Sequence, residues 1–255
     1  MSRISPMSGE PWESAPVGLE LARDEVHVWR IRLDRPAEVV ARLGRTLAPE
    51  ERAKAARFRF EKDRDHYTVG RGTLRAILGR YLEIEPARLE FRSEAYGKPA
   101  LVVGEGQGEG LRFNLAHSHG LALLAVARAR EVGVDVERGR AIENFERIIE
   151  RFFSPRECSA FRVLPEDQKL AAFFRCWTRK EAYMKATGEG FSLPLDRFDV
   201  SLAPGEPARL LDVAGRPGEA ARWSMRELEP GPGFFGTVMA EGEGWRLRCL
   251  DHDHS

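Results

Sequence analysis

Residues Val132–Glu137 read Val-Gly-Val-Asp-Val-Glu, and this strict alternation fits an extended strand with two unlike faces. Val132, Val134 and Val136 point one way, toward a core, while Asp135 and Glu137 point the other, where both carboxylates can reach one ion. Taken alone, the pair also fits an amphipathic surface strand with its acidic side in water. The second constraint is a helix expected over Gln168–Thr187, ended by Gly188. At 100° per residue, Leu170, Phe173, Phe174, Trp177 and Met184 form one apolar stripe with Glu181 near its centre. A carboxylate there faces the interior and needs a proton, a cation or a metal as its partner. Lys185, one turn later, is the simplest cation, as a helix ion pair. Arg179 and Lys180 are expected on the opposite, charged face of the helix. Together, Asp135, Glu137 and Glu181 form a hard oxygen set that suits magnesium and not zinc.

Elsewhere helix-like and strand-like patterns are mixed in both halves, which predicts an α+β fold. A strand is expected over Glu25–Leu33, then helices over Pro36–Gly44, Glu50–Phe58 and Asp63–Leu82, the last with an apolar stripe through Tyr67, Leu74, Ile77, Leu78 and Tyr81. Leu89–Val103 reads as strand, turn, strand, followed by a glycine-rich loop over 104–110. Leu111–Leu115 and Leu121–Ala127 read as neighbouring strands around His117-Ser118-His119-Gly120. Shorter helices follow over Ile142–Phe152 and Pro155–Val163, and strands return at Trp223–Leu228, Phe234–Met239 and Trp245–Leu250. No sequence repeat relates the halves. The expected division is a flexible leader over 1–22, an N-terminal half over 23–129, a C-terminal half over 130–250 and a polar tail over 251–255.

Composition narrows the partners. Lys plus Arg and Asp plus Glu each number 40 among 255 residues, so no overall field favours nucleic acid or an anionic membrane. Cys158, Cys176 and Cys249 are odd in number and lack zinc-site spacing, which fits reduced thiols. The first 22 residues do not resemble a secretory signal, and no apolar run approaches the roughly 20 residues of a membrane helix. A cytoplasmic protein is expected. The basic residues crowd the N-terminal half: Arg52, Lys54, Arg57, Arg59, Lys62 and Arg64, then Arg71 and Arg75. A polyanionic ligand needs two or three of them. Lys98, in a tight Gly-Lys-Pro turn, and His117, after Phe113-Asn114-Leu115-Ala116 at a strand end, are candidates to meet a phosphate.

These residues resemble the phosphopantetheinyl transferases of the surfactin-synthetase type. The matching segments, in family order, are Tyr96-Gly97-Lys98-Pro99, Phe113-Asn114-Leu115-Ala116-His117-Ser118, Gly133-Val134-Asp135-Val136-Glu137, Arg151-Phe152-Phe153-Ser154 and Trp177-Thr178-Arg179-Lys180-Glu181-Ala182-Tyr183-Met184-Lys185. The resemblance spans about Val26 to Met239. It implies two similar α/β halves related by a pseudo-twofold axis, with coenzyme A in the cleft between them, in a monomer. It also implies the transfer of phosphopantetheine from coenzyme A to a serine of an apo acyl or peptidyl carrier protein, releasing adenosine 3′,5′-bisphosphate. By the resemblance Asp135, Glu137 and Glu181 hold Mg2+, and Lys185 lies beside the diphosphate. Lys98, Asn114 and His117 fall in segments that bind coenzyme A, with Lys98 and His117 on the nucleotide and its 3′-phosphate; Lys54 and Arg71 match cationic positions more loosely. Glu181, directly or through a water, is the expected base and Lys185 assists. Two departures affect the phosphate grip: Ala116 stands where many members have serine, and Glu51 where some have a basic residue. The carrier is expected to meet apolar and basic residues near the cleft, with Phe152, Phe153 and Phe161 as candidates or as core. Two other readings fit the same acids: a magnesium-dependent phosphoesterase, and a non-catalytic coenzyme A-binding protein.

Overall fold

The computed structural model describes residues 10–93, 98–102, 110–143 and 145–252. The expected turn at Ala95-Tyr96-Gly97 and the loop over 104–109 lie outside them. The elements are β1 (Trp12–Ser14), β2 (Glu25–Arg32), α1 (Ala37–Gly44), α2 (Pro49–Ala55), α3 (Glu61–Leu82), β3 (Glu90–Ser93), β4 (Pro99–Val102), β5 (Leu111–Ser118), β6 (Leu121–Arg128) and β7 (Val132–Arg138), then α4 (Phe145–Phe152), α5 (Pro155–Arg162), α6 (Glu166–Thr187), β8 (Phe198–Val200), β9 (Leu210–Val213), β10 (Trp223–Leu228), β11 (Phe234–Glu241) and β12 (Arg246–His252). The expected α+β mixture is present, and no helix among the described residues is long and apolar enough to cross a membrane.

Two sheets carry the body. One runs β1-β12-β2-β6-β5 and the other β10-β11-β7. In the first, β2, β6 and β5 are antiparallel neighbours; in the second, so are β7, β11 and β10. Each strand opening such a trio, β2 or β7, is followed by three helices, the third 22 residues long, and by a two-stranded ribbon.

Burial follows from the patterns. Trp29, Ile31, Phe113 and Leu124 on one face of the first sheet cluster with Val69, Leu74, Ile77 and Leu78 of α3. Val28, Ala116, Leu123 and Ala125 on its other face pack against Val132, Val134, Val136 and Val238 of the second sheet. The far side of the second sheet, through Met225 and Met239, joins Phe173, Phe174 and Met184 of α6. The layers are therefore helix, sheet, sheet, helix. Phe153 and Phe161 belong to the last of these cores, not to the surface.

Three placements differ from the expected divisions. β12, assigned to the C-terminal half, pairs in parallel with β2 and so completes the first sheet. Cys249 and Leu247 pack into the core between the two sheets, and Leu250 into the core shared with α3. The expected leader contributes β1, which pairs with β12, and Trp12 donates to the Glu229 carbonyl at 2.6 Å under the Arg30 guanidinium. The start of the expected tail is ordered too, with Asp251 bonded to Arg30 at 2.7 Å. All three cysteines are free thiols.

Candidate functional site

Gly133, Asp135 and Glu137 share the side of β7 that faces α6. Gly133 is the contact point: a Cβ there would stand 2.2 Å from the Ala182 carbonyl oxygen and 2.4 Å from the Ala186 nitrogen. The helix backbone therefore lies directly on the strand. Glu181 and Lys185, each one residue before these alanines, are carried to the strand's acidic side. Lys185 Nζ donates to Asp135 Oδ1 at 2.6 Å, so the lysine's hydrogen bond crosses to the strand and is not the expected bond to Glu181 on its own helix.

The other edge of β7 is finished by side chains of β5. Asn114 Oδ1 accepts the Val134 N–H at 2.9 Å, and Ser118 Oγ accepts the Arg138 N–H at 3.2 Å. Ser118 has one hydroxyl proton, which it donates to Glu137 Oε2 at 2.8 Å. That bond aims Glu137 along the site. Ser118 ends the Phe113–Ser118 segment, and only the β5–β7 juxtaposition gives it this role.

The electrostatics are those of a crowded acidic pocket with Lys185 inside it. Asp135 is 4% exposed. Burial raises its pKa to about 7; Lys185 opposes that rise, and the charges of Glu181 and Glu137 add to it. Burial raises Glu181 as well, with Lys185 opposing and Glu137 adding. For Lys185, burial disfavours the ammonium, but Asp135, Glu181 and Glu137 outweigh it and raise the pKa.

Three carboxylates thus face the Lys185 ammonium, and Asp135 Oδ2 is buried without a hydrogen-bond partner among the described residues. A divalent cation fits both facts, since it would neutralise the excess charge and take the orphaned oxygen. Among the described residues no group of three or more His, Cys, Asp or Glu side chains is placed to hold a metal ion by itself. The set suits an ion that keeps waters and completes its shell on substrate oxygens, as magnesium does.

The expected phosphate contacts are distributed around this centre. His117 is exposed at the end of β5, and its pKa is held down by partial desolvation of its ring, then by the charges of Lys185 and His66, with Glu137 opposing. Lys98 Nζ donates at 3.1 Å to Glu131 and at 3.1 Å to the Ala186 carbonyl, next to Lys185 on the helix. Its stem lines a pocket with Arg92, Arg112 and Phe113. Asn114 is buried as a strut between strands. Arg71 donates to Glu51, as does the fully buried Arg75. Glu51 also accepts the Ala48 N–H at the start of α2, and these bonds explain an acid at that position. Lys54 is exposed over the Tyr67 ring at 5.5 Å. The fold thus gathers Asp135, Glu137, Glu181 and Lys185 into one cluster with His117 and Lys98 beside it, and leaves Lys54 and Arg71 on the α2–α3 pair.

Arg179 and Lys180 depart most from their expected setting. Both are 0% exposed, not on a solvated face. Arg179 donates to Ser201 and Glu227, and Lys180 to Glu157 and two carbonyls. Helical periodicity gave no sign of this, because the loop and ribbon covering that face come from residues far along the chain.

Comparison with known proteins gives a consistent picture. Residues 131–231 match the 4'-phosphopantetheinyl transferase superfamily model, and residues 35–129 match the model described as 4'-phosphopantetheinyl transferase, N-terminal. The chain is 44% identical over 236 residues to the 4'-phosphopantetheinyl transferase HetI of Nostoc sp., covering 92% of this chain and 95% of that one. It is 30% identical over 177 residues to the 4'-phosphopantetheinyl transferase Sfp of Bacillus subtilis, covering 69% and 76% of the two chains. Among solved structures, a holo-(acyl-carrier-protein) synthase from Bacillus anthracis in complex with CoA aligns with a TM-score of 0.36 and 19% identity, over 44% of this chain and 96% of that one.

Proposed function

Because the chain belongs to the 4'-phosphopantetheinyl transferase superfamily, we propose that it moves the phosphopantetheine arm of coenzyme A onto a serine of an apo carrier protein, with catalysis centred on Asp135, Glu137, Glu181 and Lys185. The observation that carries this reading is the meeting of strand-borne and helix-borne acids around one lysine, with a buried carboxylate oxygen left unpaired. Asp135, Glu137 and Glu181 would hold magnesium. Bound there, the ion supplies positive charge at the diphosphate, whose bridging bond breaks to release adenosine 3′,5′-bisphosphate.

The protein's own groups have distinct tasks. Lys185 stays protonated, since three carboxylates stabilise its ammonium, and stands ready to pair with a phosphate oxygen. Glu181, its basicity raised by burial, accepts the serine hydroxyl proton directly or through a water as the oxygen attacks the β-phosphorus. Ser118 keeps Glu137 turned toward the site. Lys98 and His117 flank the centre and would contact the nucleotide and its 3′-phosphate; Lys54 and the Glu51-held Arg71 lie farther out. Asn114 serves by holding β7 in place.

We read the repeated order of strand, three helices, ribbon and hairpin as two halves related by a pseudo-twofold axis, with coenzyme A between them. The two antiparallel trios and the paired 22-residue helices support this. A monomer in the reducing cytoplasm suits the free thiols. The deciding experiment incubates the protein with coenzyme A, Mg2+ and an apo carrier, followed by intact-mass spectrometry of the carrier. A gain of one phosphopantetheine is expected. Release of adenosine 3′,5′-bisphosphate from coenzyme A alone, with the carrier unchanged, would replace transfer by hydrolysis.

A further inference from the structure

Four consecutive residues of α6 leave the helix at successive 100° steps, and the first three are each held. Thr178 Oγ1 lies 3.0 Å from Thr237 Oγ1, on the β11 residue paired in register with Asp135. Arg179 donates to the Ser201 carbonyl at 2.6 Å and to Glu227 at 3.0 Å. Lys180 Nζ uses all three donors: the Leu195 carbonyl at 2.7 Å, the Phe198 carbonyl at 2.6 Å and Glu157 Oε2 at 2.8 Å. Glu157 is itself fully engaged, accepting the N–H groups of Ser154 and Val200. The fourth residue, Glu181, takes the remaining direction, toward Asp135.

From this arrangement we infer that the buried Lys180–Glu157 pair is a positioning device for Glu181, setting the rotation of α6 about its axis. The pair ties the helix to α5 and to the segment leading into β8. A buried ion pair is a poor source of net stability, because desolvation offsets its attraction. Orientation is what it provides: two charges with all their partners in place admit one geometry, whereas an apolar pair of similar size admits several. Displacing a catalytic group by about 1 Å costs on the order of 100-fold in rate.

The inference rests on the transferase reading above, so wild-type transfer to an apo carrier is established first. The test then uses Glu157→Gln/Lys180→Met, which removes both charges together, and Glu157→Asp, which keeps the pair but shortens it by one methylene. Folding is followed by thermal melting, coenzyme A affinity by calorimetry, and kcat and KM by carrier modification. Both variants are expected to fold and to bind coenzyme A within about threefold of wild type, with kcat lowered roughly 10- to 100-fold. Lys180→Arg, which keeps the charge, is expected to regain part of the loss. If either folded variant turns over within about twofold of wild type, or if kcat falls only in step with coenzyme A affinity, the pair is structural and the inference fails. Should the double variant not fold, Glu157→Asp alone decides by the same criteria. Absence of transfer by the wild type would instead sink the underlying reading.

Discussion

Asn114→Leu separates two roles for a residue of the Phe113–Ser118 segment. The side chain is nearly isosteric but lacks the oxygen that accepts the Val134 N–H at 2.9 Å. Val134 is 0% exposed and Asn114 only 7%, so no water replaces the lost acceptor. The orphaned donor costs about 1–3 kcal/mol. For a chain of this length each kcal/mol lowers the melting temperature by about 2–4 °C, giving a drop of roughly 2–12 °C. The edge of β7 that carries Asp135 loses a tether, so kcat should fall as well, while coenzyme A affinity stays near wild type because the side chain faces the strand. Differential scanning fluorimetry and calorimetric titration with coenzyme A read both quantities. An unchanged melting temperature with weakened coenzyme A binding would refute the strut and restore Asn114 as a ligand contact.

Three further outcomes are expected. Glu181→Gln should abolish carrier modification while leaving coenzyme A binding measurable; near-normal turnover would remove Glu181 from the role of base. Gly133→Ala forces a methyl group onto the α6 backbone at Ala182 and Ala186 and should destabilise by about 3 kcal/mol with loss of activity, whereas a variant melting like wild type would mean that the helix does not lie on β7. His27 is buried against Tyr81, and its pKa is lowered to about 4, chiefly by burial and further by Arg248, with Glu25 opposing. The unfolded chain therefore binds this proton more readily than the folded one. Its contribution to stability is present above pH 6.5 and is lost as pH falls toward about 4. His27→Gln should flatten that limb of a melting-temperature profile, and an equally steep profile would assign the acid sensitivity to other groups.

Much of the candidate site was visible in one dimension, for reasons that are local. A period of two places Asp135 beside Glu137 and opposite Val134, whatever the strand pairs with. A period of 3.6 sets Glu181 among apolar residues and one turn from Lys185. Gly188 ends the helix, with a φ of 69° that suits glycine. These depend only on backbone geometry and on which side chains avoid water.

Partnership depended on the tertiary fold. Lys185 bonds Asp135, 50 residues away, rather than Glu181 one turn before it, because Gly133 lets the helix rest on the strand. Arg179 and Lys180 look like solvent-facing charges on a helical wheel, yet Ser201, Glu227, Glu157 and two carbonyls enclose them. β12, late in the chain, joins the first sheet between β1 and β2. Which faces are acidic, basic or apolar is legible from the chain alone, since that follows from the side chains and the periodicity of each element. Which charge meets which, and which strand edge is filled, was decided only by packing, because both require residues far apart in the chain to compete for the same buried space.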